Sequence, residues 1–284
     1  MKRFFIFNIL SVFLTVIFLL SVGCGAGLSA SKPNTPPPTQ GDLPDAPNDT
    51  PSTDLDGGHL PSVDVESSLP KPQKEYVNYA VATTSSLRIR SLPSSSGSVL
   101  GYLDQNDALV IEGEENGYYK TTFLQKRAYV HKSYCKVMPI EKGSSKVEKA
   151  TELGSTLLGY PYVWGSQRYH WGNGVLNKNF VMGEFDCSAF VQYIYYHSNG
   201  VILDVTTRTQ VYNGIPVEKS KIQRGDLMFF TNSSRKDKTG NERIAHVAIY
   251  LGNNYILHTA SDHAVIEPIS STRWSYYICS RRVV

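Results

Sequence analysis

Two alternating apolar runs near the chain end, Ile244-Ala245-His246-Val247-Ala248-Ile249-Tyr250 and Tyr255-Ile256-Leu257-His258-Thr259, are separated by little more than Gly252, Asn253 and Asn254. Gly and Asn accept the left-handed backbone that tight hairpin loops need, so the two runs are expected to pair as antiparallel strands. With a three-residue loop at 252–254, Leu251 pairs with Tyr255 and paired numbers sum to 506. His246 then faces Ala260, Ala248 faces His258, and both imidazoles project from one side of the sheet. A two-residue loop would place them on opposite sides.

Two histidines on one sheet face call for a nucleophile, and Phe185-Asp186-Cys187-Ser188-Ala189-Phe190 offers one. Cys187 opens an apolar, helix-compatible run to about Tyr196, with Asp186 placed to cap it. Backbone N–H groups at a helix start carry partial positive charge, which eases ionisation of a thiol there. The alternative is a cysteine that fills core space. A thiol, a base and a group that fixes the base's tautomer make up a thiol hydrolase, with His246 as base and His258 orienting it. Zinc would want a paired spacing such as C-x-x-C or H-E-x-x-H, which the chain lacks; neither a metal nor another cofactor is expected. His197 and His263 have no partner in sequence and are expected to be structural.

Around these segments, residues 141–284 read as mixed α and β. Val147, Ala150, Gly154, Leu157 and Leu158 form one helical stripe that Gly159 stops. The stretch from Ser166 to Glu184 is irregular and expected to be a surface insertion, with His170 exposed in it. Gly225 to Phe230 starts a strand from a turn. Before this unit, residues 75–138 show short strands broken by turn residues: 79–82, 86–90, 99–102, 108–111, 118–121 and 127–130. That spacing predicts a small all-β barrel. His131 is expected at its surface.

Residues 1–23 begin with Lys2 and Arg3 and continue almost wholly apolar, as an export signal does; an uncleaved anchor is the alternative. Residues 24–74, rich in Pro, Ser, Thr, Asp and Gly, cannot bury enough apolar surface to offset chain entropy and are expected to be a disordered tether holding a solvated His59. The formal charge of +3 is scattered, with no basic run dense enough for nucleic acid. A monomer is expected. Cys135 and Cys279 are open to two readings, an inter-domain disulfide or two separate buried thiols.

Three resemblances emerge from these residues. Leu20-Ser21-Val22-Gly23-Cys24 resembles a bacterial lipobox, with Ser21 where a branched apolar residue is usual, and implies lipidation of Cys24 and a tether to the outer face of the cell membrane. Secretion is the alternative. Leu87-Arg88-Ile89-Arg90 with Pro93, Glu115 to Lys120, and Ala128 to His131 resemble the bacterial SH3-like domain, although Leu92 replaces a customary Gly. Tyr162-Val163-Trp164-Gly165, Asp186-Cys187-Ser188, Gly225-Asp226-Leu227, His246 to Gly252 and His258-Thr259-Ala260 resemble, in that order, the NlpC-type cell-wall peptidases. Ala189 stands where that family commonly has Gly.

The resemblance implies an α+β chain: a small SH3-like barrel followed by a papain-like domain with helices packed on an antiparallel sheet. It also implies hydrolysis of peptidoglycan stem peptides between γ-D-glutamate and a diamino acid, through a Cys187 thiolate and a thioacyl-enzyme. Tyr162 is the implied oxyanion donor, Asp186 and Ser188 are implied substrate contacts, and Arg208 and Thr209 are implied to line the cleft. A cell-wall binding protein with an inactive peptidase fold, or an amidase or acyltransferase using the same Cys-His chemistry, are the alternatives.

Overall fold

The structure, a computed structural model, describes residues 73–259 and 262–284. The expected signal (1–23), Cys24 and the tether up to residue 72, with His59, lie outside the described residues, as does Ala260.

The first sheets belong to the barrel. β1 (Tyr76–Ala82) is flanked by β4 (Ala108–Val110) and β8 (Cys135–Glu141). A five-stranded sheet runs β3 (Val99–Leu103), β2 (Leu87–Arg90), β7 (Lys126–His131), β6 (Tyr118–Phe123), β5 (Gly113–Glu115). Two of these strands, β5 and β8, were not expected from the sequence. β8 pairs with β1 over its whole length and, as an edge strand, accommodates Pro139, which cannot donate to a ladder.

The third sheet is six-stranded and antiparallel, in the order β13 (Ala264–Pro268), β12 (Tyr255–Thr259), β11 (His246–Gly252), β10 (Leu227–Phe230), β14 (Tyr277–Arg282), β9 (Ile215–Val217). One face, with Leu227, Phe229, Val247, Ile249 and Leu257, joins the main core together with helices α1 (Ser145–Thr156) and α2 (Cys187–Asn199). Strand residues of the other set, Met228, Phe230, Ala248 and Ile256, form a separate apolar cluster with Ile269. α1 is capped by Ser144, whose hydroxyl accepts from Val147 N–H, and it buries the expected stripe. At Gly154 it comes so close to β12 that a Cβ would lie 2.4 Å from Leu257 Cδ2.

Barrel and sheet share one core and several polar links. Leu124 and Gln125 N–H donate to the carbonyls of Leu158 and Thr156. The buried Arg224 donates to Glu148, Thr151 and the Leu251 carbonyl, and reaches across to the Tyr79 hydroxyl at 3.0 Å.

The hairpin that constrained the sequence reading has the expected register by a different route. Ile249 pairs with Leu257 and Tyr250 with Ile256, so paired numbers sum to 506. The turn itself is two residues, Asn253 and Asn254, both at positive φ (48° and 65°). The register shift between Tyr250 and Gly252 supplies the extra residue, so the bulge does what a third loop residue was expected to do.

Candidate active site

α2 begins at Cys187 because Asp186 stops the preceding chain in an extended conformation (φ −90°, ψ 175°) and accepts from Ala189 N–H at 2.8 Å. At its other end Gly200, in the left-handed region, donates back to the Tyr195 and Tyr196 carbonyls. Cys187 is therefore presented on the first turn, buried, with most of the helix's apolar side chains pinned in the core.

Both carboxylate oxygens of Asp186 are occupied within the protein. Oδ1 accepts from Ala189 N–H and the Ser188 hydroxyl; Oδ2 accepts from Gly165 N–H and from Arg168 Nη2 at 2.7 Å. Arg168, which the sequence reading missed, also donates to Ser188 Oγ and to the Ser166 and Val205 carbonyls. It comes from the 166–184 stretch, and its only sequence signal is an arginine upstream of an acidic cap.

That stretch is not a free surface loop. Tyr169 and Phe180 pack edge-on to each other and against Tyr193, and Tyr169 also lies against Tyr196 and His197 on the outer side of α2. His170, expected to be exposed, is fully buried, its backbone N–H donating to Gln192 and its Nδ1 accepting from Gly172 N–H. The aromatic cluster folds the insertion onto the helix, which a pattern-free sequence does not reveal. His197 and His263 serve locally, the first in this cluster and the second paired with Asp262. His131 is half-buried between Tyr118 and Tyr134.

His246 and His258 project from the same side of their hairpin, with His246 Nε2 2.9 Å from His258 Nδ1. His258, fully buried, extends the line: its Nε2 lies 2.9 Å from Glu267 Oε1. Arg273 Nη2 donates to the same oxygen at 2.8 Å. Glu267 and Arg273 were missed from sequence. Glu267 lies two residues beyond Val265, the partner of His258 on β13, so strand pairing puts it on the face of the histidines.

The electrostatics fix the protonation of this line. Glu267 stays ionised despite its burial, held below the usual carboxylate range by His258 and Arg273. A carboxylate only accepts, so His258 Nε2 carries the hydrogen. Burial keeps His258 below its ordinary value although Glu267 pulls the other way, so its Nδ1 is bare and accepts. His246 must then donate from Nε2, leaving Nδ1 with the lone pair. Burial foremost, then His258 and Arg273, hold His246 well below its ordinary value, so it rests as a neutral base.

Cys187 rests as a thiol. Burial, then the Asp186 charge, push it up to about 12, against the Val247 N–H, the Arg168 charge and the Ser188 N–H. The ease of ionisation expected from the helix start is thus outweighed. The Val247 N–H that acts on the sulfur adjoins His246, which ties the start of α2 to the start of β11. No hydrogen bond joins Sγ to either imidazole among the described residues.

Tyr162 lines a cavity of about 400 Å³ together with His246, His258, Thr259 and Arg273. Burial, then the nearby Cys187 and Asp186, raise its phenol, so its hydroxyl remains a donor. Arg208 and Thr209 do not line this cavity: Arg208 pairs with Glu242, and Thr209 closes a capping box with Thr206. Cys135 and Cys279 are separate free thiols. Among the described residues no three His, Cys, Asp or Glu side chains gather as a metal site requires, and no helix is long and apolar enough to cross a membrane.

Comparison with known proteins agrees with this architecture. Residues 159–283 match the NlpC/P60 family and residues 85–136 the bacterial SH3 domain. The chain is 28% identical over 170 residues to the gamma-D-glutamyl-L-lysine dipeptidyl-peptidase of Bacillus subtilis, covering 59% of this chain and 50% of that protein. It is 33% identical over 146 residues to the peptidoglycan DL-endopeptidase CwlO of Bacillus licheniformis, covering 50% of this chain and 29% of that one. A probable endopeptidase NlpC homolog of Haemophilus influenzae is 30% identical over 135 residues, 46% of this chain and 64% of that protein. The chain thus spans half or less of the length of the first two relatives. Residues 159–283 are thus similar to the NlpC/P60 family, and the region ahead of them is similar to the bacterial SH3 domain.

Proposed function

We propose that this protein is a peptidoglycan stem-peptide hydrolase, a cysteine peptidase that cuts between γ-D-glutamate and a diamino acid. The observation that carries the reading is the line His246–His258–Glu267, which leaves His246 Nδ1 as a neutral base beside the helix that presents Cys187. Its relatives' activities support the substrate class.

In the reaction, His246 Nδ1 takes the Cys187 proton as the sulfur attacks the γ-glutamyl carbonyl. Thiolate is generated on demand, in keeping with the high resting thiol value. The developing oxyanion meets the Cys187 backbone N–H and the Tyr162 hydroxyl; losing one such donor costs roughly 3 kcal/mol of barrier. The imidazolium, steadied by His258 and Glu267, gives its proton to the leaving amine. Water then enters, His246 takes its proton, and hydroxide attack on the thioester frees the γ-glutamyl acid and returns the thiol. With both oxygens of Asp186 occupied internally, its part here is to cap α2 and hold Arg168 and Ser188.

The test is incubation of purified murein with the wild-type protein and Cys187→Ala, followed by mass spectrometry. Soluble peptides with a γ-D-glutamyl terminus, released by wild type alone, are expected. Equal release by both proteins would overturn the assignment, and products of sugar–peptide cleavage or acyl transfer would move it to those chemistries. The reading extends to the leader: Cys24 carries a lipid that tethers the enzyme to the outer face of the cell membrane. A Cys24→Ser protein should then leave the membrane fraction.

A further inference from the structure

The cavity beside His246 contains polar groups that the relay does not use. Arg273 spends one N–H on Glu267; among the described residues its Nε and Nη1 hydrogens meet no acceptor. Its guanidinium lies 5.9 Å from the centre of the Phe230 ring, on the cavity wall. Thr259, 1% exposed, also lines the cavity, and among the described residues its Oγ1 has no hydrogen-bond partner. A buried hydroxyl left unpaired is uncommon enough to require an explanation, and a ligand atom is one. The side-chain amide of Asn232 faces the same space; its Oδ1 is held by Ser234, so its NH₂ is the free end.

The free groups are therefore mostly donors, with one fixed positive charge among them. No carboxylate lines the cavity among the described residues, and Glu267, bonded to Arg273, already serves His258 as well. A guanidinium with open N–H groups is the residue type best matched to a carboxylate, and it repels an ammonium. His246 has to protonate the leaving amine, so a cavity walled by His246 that Cys187 does not line lies on the leaving-group side of the scissile bond.

We propose that this cavity is a carboxylate subsite for the leaving diamino acid, in which Arg273 and Thr259 select a side chain ending in a carboxylate over one ending in an amine alone. The proposal rests on the hydrolase reading and deepens it: the preferred stem peptide carries 2,6-diaminopimelate, not lysine.

Two synthetic tripeptides, L-Ala-γ-D-Glu-meso-diaminopimelate and L-Ala-γ-D-Glu-L-Lys, test it with the full chain. Wild type should cleave the first with kcat/KM about 10–100 times higher, the range of one or two charge-assisted hydrogen bonds. Arg273→Gln will slow both substrates because it also loosens Glu267; the readout is their ratio, which should fall to within about threefold. Thr259→Val, which leaves Glu267 untouched, should lower the same ratio, and a diaminopimelate amidated at its side-chain carboxylate should behave as lysine does. Equal cleavage of both tripeptides by wild type, or a ratio unmoved by Arg273→Gln, would overturn the subsite and leave the hydrolase standing. If neither is cleaved, calorimetry with Cys187→Ala separates the two ideas. Tighter binding of the diaminopimelate peptide keeps the subsite while the hydrolase falls; equal or no binding removes both.

Discussion

His258 Nε2 and Glu267 Oε1, on neighbouring strands, stand 2.9 Å apart, and this contact sets the hydrogen on every ring nitrogen back to His246. The carboxylate touches neither the sulfur nor the base. It acts by forcing His258 to donate in one direction, so that His258 can only accept in the other.

Glu267→Gln removes that compulsion, because an amide can donate as well as accept. His246 then populates the tautomer with its hydrogen on Nδ1, which cannot take the thiol proton. A directly bonded orienting carboxylate is worth roughly 10⁴ in kcat, and one step further out the loss should be about 10–100-fold, with KM little changed. Nitrogen NMR of the His246 ring should report the mixed tautomer; an unchanged spectrum with unchanged kcat would refute the role.

Acid should unfold this protein in a way its histidines explain. His246 and His258 are held below their ordinary value of 6.5 by burial, so the unfolded chain binds more protons as pH falls below that value. Their contribution is present above 6.5 and is lost as pH drops toward their folded values. Asp107 works in the opposite sense, since burial pushes it up to about 6 from 3.8. Its penalty is absent below 3.8 and grows as pH rises through about 6. Asp107→Asn should therefore stabilise the protein above pH 6 by about 1–2 kcal/mol, solvent screening part of the shift, and make no difference in strong acid. Melting temperatures from pH 3 to 8 would show both slopes.

Arg168→Met should leave the Asp186 carboxylate buried without its cation, a change that costs about 3–5 kcal/mol when one partner of a buried pair is removed. It should also withdraw a charge that favours the Cys187 thiolate, so alkylation of that thiol should slow at fixed pH. Denaturant unfolding and iodoacetamide kinetics measure the two effects separately.

Gly154→Ala pits two effects against each other. In a helix interior the change gains about 1 kcal/mol. Here the new methyl would lie 2.4 Å from Leu257 Cδ2 and 3.0 Å from Ile194 Cδ1, both fully buried. Overpacking of this kind costs about 1–3 kcal/mol, so a net loss of stability is expected. Leu257 adjoins His258, so kcat should fall too.

Local chemistry alone determined much of this protein. Alternation favoured the hairpin register, because a slip of one residue would turn every apolar side chain outward, although a bulge before Gly252 and not a third turn residue supplied it. Asp186 ahead of an apolar run set where α2 begins, and a 3.6-residue stripe ended by Gly159 set α1. Tertiary structure decided the rest. Glu267 reaches His258 only once β13 pairs with β12, and Arg168 reaches Asp186 only once Tyr169 and Phe180 dock on α2. The resting protonation of Cys187 and His246 is likewise collective, since desolvation depends on everything packed around a group. Periodicity and turn residues act between near neighbours, whereas burial and long-range pairing exist only in the assembled fold.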